Sequence, residues 1–252
     1  MEPVYRTIEI IAKAAVFATG TKVSYRGLEN IPAAGGAVLA INHTSYVDFL
    51  PAALATVRAG RRLRFMVKAE LQDVRIVSFM IKHTKAIPVD RSAGHGAYEA
   101  AVSSLKDGEI VAVYPEATIS RSFELKEFKS GAARMAHEAE VPIVPLIVWG
   151  TQRIWTKDHL KDLGRSKIPV TVEVGRPLVA GPDFEQTTAE LYDAMEQLLM
   201  RAQQQYPQEP GAYWVPRRLG GSAPTLEEAA VRDAAELEER ARQKARKKTD
   251  GS

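Results

Sequence analysis

The stretch that most limits what this chain folds into is Ala37-Val38-Leu39-Ala40-Ile41, an unbroken apolar run between Gly35-Gly36 and Asn42-His43. Such a run, bounded by turn residues, fits a strand covered on both faces, as strands of parallel sheets are. His43 then emerges where the strand ends and a helix begins, the edge at which open α/β sheets usually carry their chemistry.

Asp48 follows His43 by five positions. On a regular helix the two would point about 140° apart, given 3.6 residues per turn. They meet only if His43 lies in the turn and Asp48 at the helix start. A carboxylate bonded to one ring nitrogen fixes the tautomer and leaves the other free to remove a proton. The spacing alone fits a helix cap or a satisfied core histidine equally well.

Similar patterning runs along the chain. Strands are predicted over 22–25, 63–67, 109–114, 141–148 and 168–174, with helices over 3–18, 49–60, 97–106, 129–140 and 189–205. In the first helix Val4, Ile8, Ile11, Ala15 and Ala18 share a side, but Glu9 and Lys13 interrupt the segment. It lacks the roughly 18 unbroken apolar residues of a membrane span. Packing on its own domain and lying in a membrane interface both fit it. The stretch 206–225 holds Pro207, Pro210, Pro216 and Gly220-Gly221 and reads as a linker carrying Tyr213 and Trp214, which would cover the core or meet lipid; beyond Thr225 Glu, Ala, Arg and Lys dominate, as in a solvated helix or a disordered end.

Composition removes whole classes of chemistry. With no cysteine, disulfides, thiolate catalysis and cysteine-bound metal are excluded. The five histidines show no ligand spacing such as His-Glu-x-x-His, so no metal is expected. Net charge is only +3, yet the basic residues bunch at Arg58, Arg61, Arg62, Arg64 and again at Lys126 and Lys129, which suits phosphate or anionic lipid. No helix-turn-helix, zinc or aromatic RNA-binding pattern accompanies them, so nucleic acid is not an expected partner.

Four segments, in order, carry a resemblance. Asn42-His43-Thr44-Ser45-Tyr46-Val47-Asp48, Ala86-Ile87-Pro88-Val89-Asp90-Arg91, Pro115-Glu116-Ala117-Thr118-Ile119-Ser120-Arg121-Ser122 and Val141-Pro142-Ile143-Val144-Pro145 resemble the motifs of the glycerolipid acyltransferases. These enzymes acylate glycerol 3-phosphate and 1-acylglycerol 3-phosphate. The resemblance implies an α/β fold with a mixed, mostly parallel sheet flanked by helices. It also implies three regions: an N-terminal amphipathic helix (1–20), an acyltransferase domain (21–205), and a linker with a charged tail (206–252).

The roles it implies are catalytic for His43 and Asp48, and phosphate-binding for Arg91, Arg121, Lys68 and Lys129, with Lys126 as a helper. Glu116 and Ser120 would contact the acceptor or organise its loop. Val141, Pro142, Ile143, Val144 and Pro145 would form a wall beside the acyl chain, although a core strand without ligand contact fits Ile143 and Val144 better from the sequence alone. Two departures stand out: Ala117 replaces the usual glycine, so the turn after Glu116 is expected to use positive φ only with strain, and Ile119 replaces an arginine. The implied reaction moves a fatty acyl group from acyl-CoA or acyl carrier protein to the free hydroxyl of 1-acylglycerol 3-phosphate, forming phosphatidate. It needs no cofactor beyond the acyl donor and takes place at the phospholipid surface on the cytoplasmic face of the cell membrane. Acylation of glycerol 3-phosphate itself, or a lipid-binding protein without catalysis, are the alternatives.

Overall fold

The computed structural model describes residues 3–68, 84–89 and 94–249. Seven strands form one sheet: β1 (Lys22–Arg26), β2 (Ala37–Ile41), β3 (Leu63–Lys68), β4 (Ile87–Val89), β5 (Ile110–Val113), β6 (Ile143–Trp149) and β7 (Pro169–Val174), in the order β1-β7-β6-β2-β5-β3-β4. The five from β6 to β4 run parallel; β7 pairs antiparallel with β6, and β1 pairs parallel with β7. The expected mixed, mostly parallel sheet is therefore present.

The apolar run at 37–41 is the centre of this sheet because both of its faces are covered. Val38 and Ala40 face one apolar cluster, while Ala37, Leu39 and Ile41 face the other. Strand β6 divides the same way, Ile143, Ile147 and Trp149 against Val144, Leu146 and Val148. Period-two alternation between two apolar faces is what a strand buried on both sides requires. The glycine before the run is a packing necessity, since a Cβ on Gly36 would sit 2.1 Å from the Leu105 carbonyl oxygen.

On the first face lie α3 (Gly94–Lys106), α4 (Gly131–Glu138) and α5 (Phe184–Gln204). Helix α2 (Phe49–Arg58) covers the second. Asp183 caps α5, accepting hydrogen bonds from the Glu185 and Gln186 amides, both at 3.0 Å. Helix α1 (Pro3–Thr19) is pinned by Tyr5, whose hydroxyl accepts the Leu63 N–H at 3.1 Å, while Ile10, Ile11 and Phe17 remain exposed.

Of the two roles open to the linker-like stretch after Tyr206, covering the core is the one found, so it is not a free linker: Trp214, Val215 and Ala223 are buried in the first apolar cluster. Trp214 packs edge-on against Tyr206 at 5.6 Å and lies under the Arg153 guanidinium at 4.3 Å. Its prolines punctuate turns that fold back over the sheet, so turn chemistry alone did not distinguish a linker from a cover. The charged tail forms α6 (Leu226–Thr249). Replacing Trp214 with Ala is expected to cost about 3–5 kcal/mol, as for other buried aromatics. Urea unfolding checks this, and a loss below about 1 kcal/mol would return the segment to linker status.

Candidate active site

Strand β2 delivers Asn42 and His43 to its carboxyl end. The Asn42 side chain extends the ladder, donating to the Val148 carbonyl at 3.0 Å and accepting the Val148 N–H at 2.7 Å. The chain then turns tightly into α2, and Asp48 is the residue preceding that helix. Its carboxylate does not cap the helix but folds back over the turn. Oδ2 accepts the Thr44 and Ser45 amides, both at 2.8 Å, and lies 3.2 Å from His43 Nδ1. Oδ1 accepts the Thr151 hydroxyl at 2.5 Å.

Asp48 is wholly buried, and each of its contacts is a donor. An acceptor-only carboxylate in this position places the hydrogen of the imidazole on Nδ1 and leaves Nε2 as the acceptor. The His43 side chain retains 21% of its exposure, so part of the imidazole meets solvent. Its ring packs on Tyr114 with centroids 4.2 Å apart. Burial, together with the Asp48 charge, raises the Tyr114 phenol well above its usual range, which keeps it neutral beneath the imidazole.

Glu116 holds the next loop. It accepts the His43 amide through Oε1 at 2.7 Å and the Lys126 amide through Oε2 at 3.1 Å. It is buried and organises backbone. Burial pushes its carboxyl up to about 8, against the two amides that favour the charged form. Ser120 donates its amide to the His43 carbonyl at 2.7 Å and its hydroxyl to the Glu124 carbonyl at 2.7 Å, also an organising role. Ser45 donates its hydroxyl to the Trp155 carbonyl at 2.6 Å and so is held as a structural group.

Ala117 adopts a left-handed conformation, φ 61°, which is the strained option for a residue with a Cβ. Its amide bonds the Tyr114 carbonyl at 2.9 Å, and the following amide bonds the Glu116 carbonyl at 2.7 Å. The Glu116 anchor fixes the turn on both sides, so the alanine takes the strain. Ile119, in place of the family's arginine, is buried at 3% exposure.

A family model described as Acyltransferase matches residues 22–149, just over half of the 252 residues. The chain belongs to the acyltransferase family. It is 32% identical over 123 residues to the 1-acyl-sn-glycerol-3-phosphate acyltransferase of Bacillus subtilis (strain 168), covering 48% of this chain and 60% of that one. It is 33% identical over 153 residues to a probable 1-acyl-sn-glycerol-3-phosphate acyltransferase of Mycoplasma pneumoniae, covering 59% and 55%. The chain thus spans less than two thirds of either relative. The crystal structure of the 1-acyl-sn-glycerophosphate acyltransferase from Thermotoga maritima has the same fold, with a TM-score of 0.67 and 22% identity over 81% of each chain.

In this acyltransferase-family chain the cationic residues are placed unevenly. Arg91 and the Lys68 side chain lie outside the described residues. Lys129 is exposed on the surface near Lys126. Arg121 is nearly buried and forms ion pairs with Asp158, Asp233 and Glu236. Of the residues expected as an acyl wall, Ile143, Val144 and Pro145 are buried within β6, the core position that fits them as well, and Val141 and Pro142 are half-buried at its approach. Helix α5 covers one face of that strand and α2 the other, and Pro145 also lines a pocket with Gly175 and Leu198.

Sequence reasoning missed Tyr114, Thr151, Trp155, Thr156 and Lys157. Tyr114 follows directly on the strand that pairs in register with β2, Ala40 opposite Val113, so parallel pairing is the signal that places it beside the histidine. Thr151 follows β6, the other neighbour of β2. Thr156 donates its hydroxyl to the Thr44 carbonyl at 2.7 Å across 112 residues of sequence, which no local pattern announces.

Two variants test this anchoring. Ala117→Gly removes left-handed strain worth about 1–2 kcal/mol but adds unfolded-state entropy, so a net gain of about 0.5–1 kcal/mol is expected in denaturant titration. Glu116 has a folded value near 8 against an ordinary 4.5, so its contribution is full at low pH and is lost as pH rises toward 8. Glu116→Gln presents an amide NH2 to one of the two backbone donors. It should be less stable than the parent by about 1–3 kcal/mol at acid pH, with the gap narrowing on approach to pH 8. A constant gap across that range would contradict the assignment.

Proposed function

We propose that this protein transfers a fatty acyl group from a thioester donor, acyl-CoA or acyl carrier protein, to the free hydroxyl of 1-acylglycerol 3-phosphate, giving phosphatidate. The observation that carries this reading is the solvent-reachable His43 ring, fixed through Nδ1 on the buried Asp48. The activities for which the Bacillus and Mycoplasma relatives are named supply the substrate class.

His43 Nε2 takes the proton from the acceptor hydroxyl as its oxygen attacks the thioester carbonyl. The tetrahedral oxyanion collapses with loss of the thiolate, which recovers the proton from the imidazolium. Asp48 holds the ring and offsets its transient positive charge. Ser45 has its hydroxyl engaged by Trp155, which supports direct attack over an acyl-serine intermediate.

Arg121, Lys126 and Lys157 supply positive charge for the acceptor phosphate, with Arg91, Lys68 and Lys129 as further ligands. Ser120 and Glu116 tie the backbone before Arg121 and at Lys126 to that of His43, which supports this role. The work takes place at a phospholipid surface on the cytoplasmic face of the membrane. Exposed Ile10, Ile11 and Phe17 on α1 support contact with lipid, and among the described residues no helix is long and apolar enough to cross a membrane.

A panel of acyl donors crossed with 1-acylglycerol 3-phosphate and glycerol 3-phosphate tests the assignment. His43→Ala is expected to lower kcat by about 10²- to 10⁴-fold while the thermal midpoint stays close to that of the parent. Full turnover by that variant would refute His43 as the base. Turnover confined to glycerol 3-phosphate would move the acceptor to the unacylated form.

A further inference from the structure

The cationic cluster beside the catalytic turn is already occupied, and by this chain. Arg121, Lys126 and Lys157 converge there, each tied to the His43 region. The residue before Arg121 donates to the His43 carbonyl, the Lys126 amide shares Glu116 with the His43 amide, and the residue before Lys157 bonds the Thr44 carbonyl. Into this cluster α6 inserts two carboxylates one helical turn apart. Asp233 accepts from Arg121, from Lys126 at 2.8 Å and from Lys157 at 3.1 Å. Glu236 accepts from Arg121 at 2.8 Å and lies 3.0 Å from Lys157. Asp158 takes the remaining edge of the guanidinium at 2.7 Å.

A phosphate monoester presents the same chemistry as this pair: two negative charges spread over several acceptor oxygens. Paired donors of a guanidinium flanked by ammonium groups bind either with little change. We propose that Asp233 and Glu236 are a built-in occupant of the acceptor phosphate site, so that α6 is a strap which a phosphorylated acceptor displaces. This rests on the functional reading above, which makes the cluster the phosphate site, and adds its regulation.

The attachment of α6 suits a removable element. The helix lies beyond the family-matched region, which ends at residue 149. Ala229 is buried, but Leu226, Val231 and Leu237 stand exposed, so little apolar surface ties the helix down. A groove of about 920 Å³ runs between it, the 125–130 segment and α5, lined by Leu125, Phe128 and Tyr192. The helix nevertheless starts from a firm point. Thr225 and Glu228 cap each other through reciprocal hydrogen bonds of 3.0 and 3.2 Å, directly after the buried Ala223. The charge contacts of its middle can break while its start stays docked.

A site filled by its own chain about nine-tenths of the time binds an external ligand about tenfold more weakly than the open site. In the full chain, Asp233→Asn with Glu236→Gln is therefore expected to bind inorganic phosphate about tenfold more tightly by calorimetric titration, and to show an acceptor KM about tenfold lower with kcat little changed. Because the chain has no cysteine, Leu237→Cys in the otherwise unaltered protein accepts a single spin label on α6. Inorganic phosphate should mobilise that label, while chloride at equal ionic strength should not. Equal phosphate affinity in parent and double variant would overturn the proposal. So would a label that responds identically to both salts, a readout that stands even if the double variant does not fold. If neither protein acylates 1-acylglycerol 3-phosphate, the functional reading fails, while phosphate affinity and label mobility still decide whether α6 occupies an anion site.

Discussion

Everything at the catalytic end of the sheet depends on one buried carboxylate being fully satisfied. Asp48 has no exposed surface, and a charge so placed is tolerated only where donors surround it. Two come from the turn itself, one from the imidazole and one from Thr151 after the neighbouring strand. The same contacts that hold the charge also tie the end of β2 to the end of β6. A histidine anchored this way is oriented before any ligand arrives, and preorganisation of this kind is what makes a general base effective.

Glu116 performs the corresponding task one strand away. By accepting amides from both His43 and Lys126 it joins the end of β2 to the loop after β5 and to the segment leading into α4. The left-handed Ala117 is a consequence: the loop is so constrained by the carboxylate that backbone geometry prevails over side-chain preference. The strain lies next to the histidine, where a fixed loop position has chemical use.

Charge is then distributed across distant parts of the chain. Arg121 meets Asp158 after 37 residues, Asp233 after 112 and Glu236 after 115. Hydrogen bonds from Arg121 and Lys157 outweigh the effect of burial and hold the Glu236 carboxyl down at about 2, so it stays ionised across the physiological range. Three cations, Arg121, Lys126 and Lys157, are thereby matched by three carboxylates, Asp158, Asp233 and Glu236, two of them on α6.

The sequence by itself determined the central strand, the histidine at its end, most of the alternation of helix and strand, and the exclusion of thiol chemistry. These are local matters: apolar periodicity, turn residues and composition act over a few residues at a time. Only the tertiary structure decided that Ile143, Val144 and Pro145 are core, because burial from both faces depends on which helices cover the strand. It alone showed that Trp214 closes the core, that Tyr114 lies under the imidazole, and that Arg121 is neutralised by residues more than a hundred positions away. Side chains brought together by parallel crossovers and by a returning C-terminal segment leave no short-range signature, since nothing in the local sequence records which distant carboxylate will neutralise a given cation.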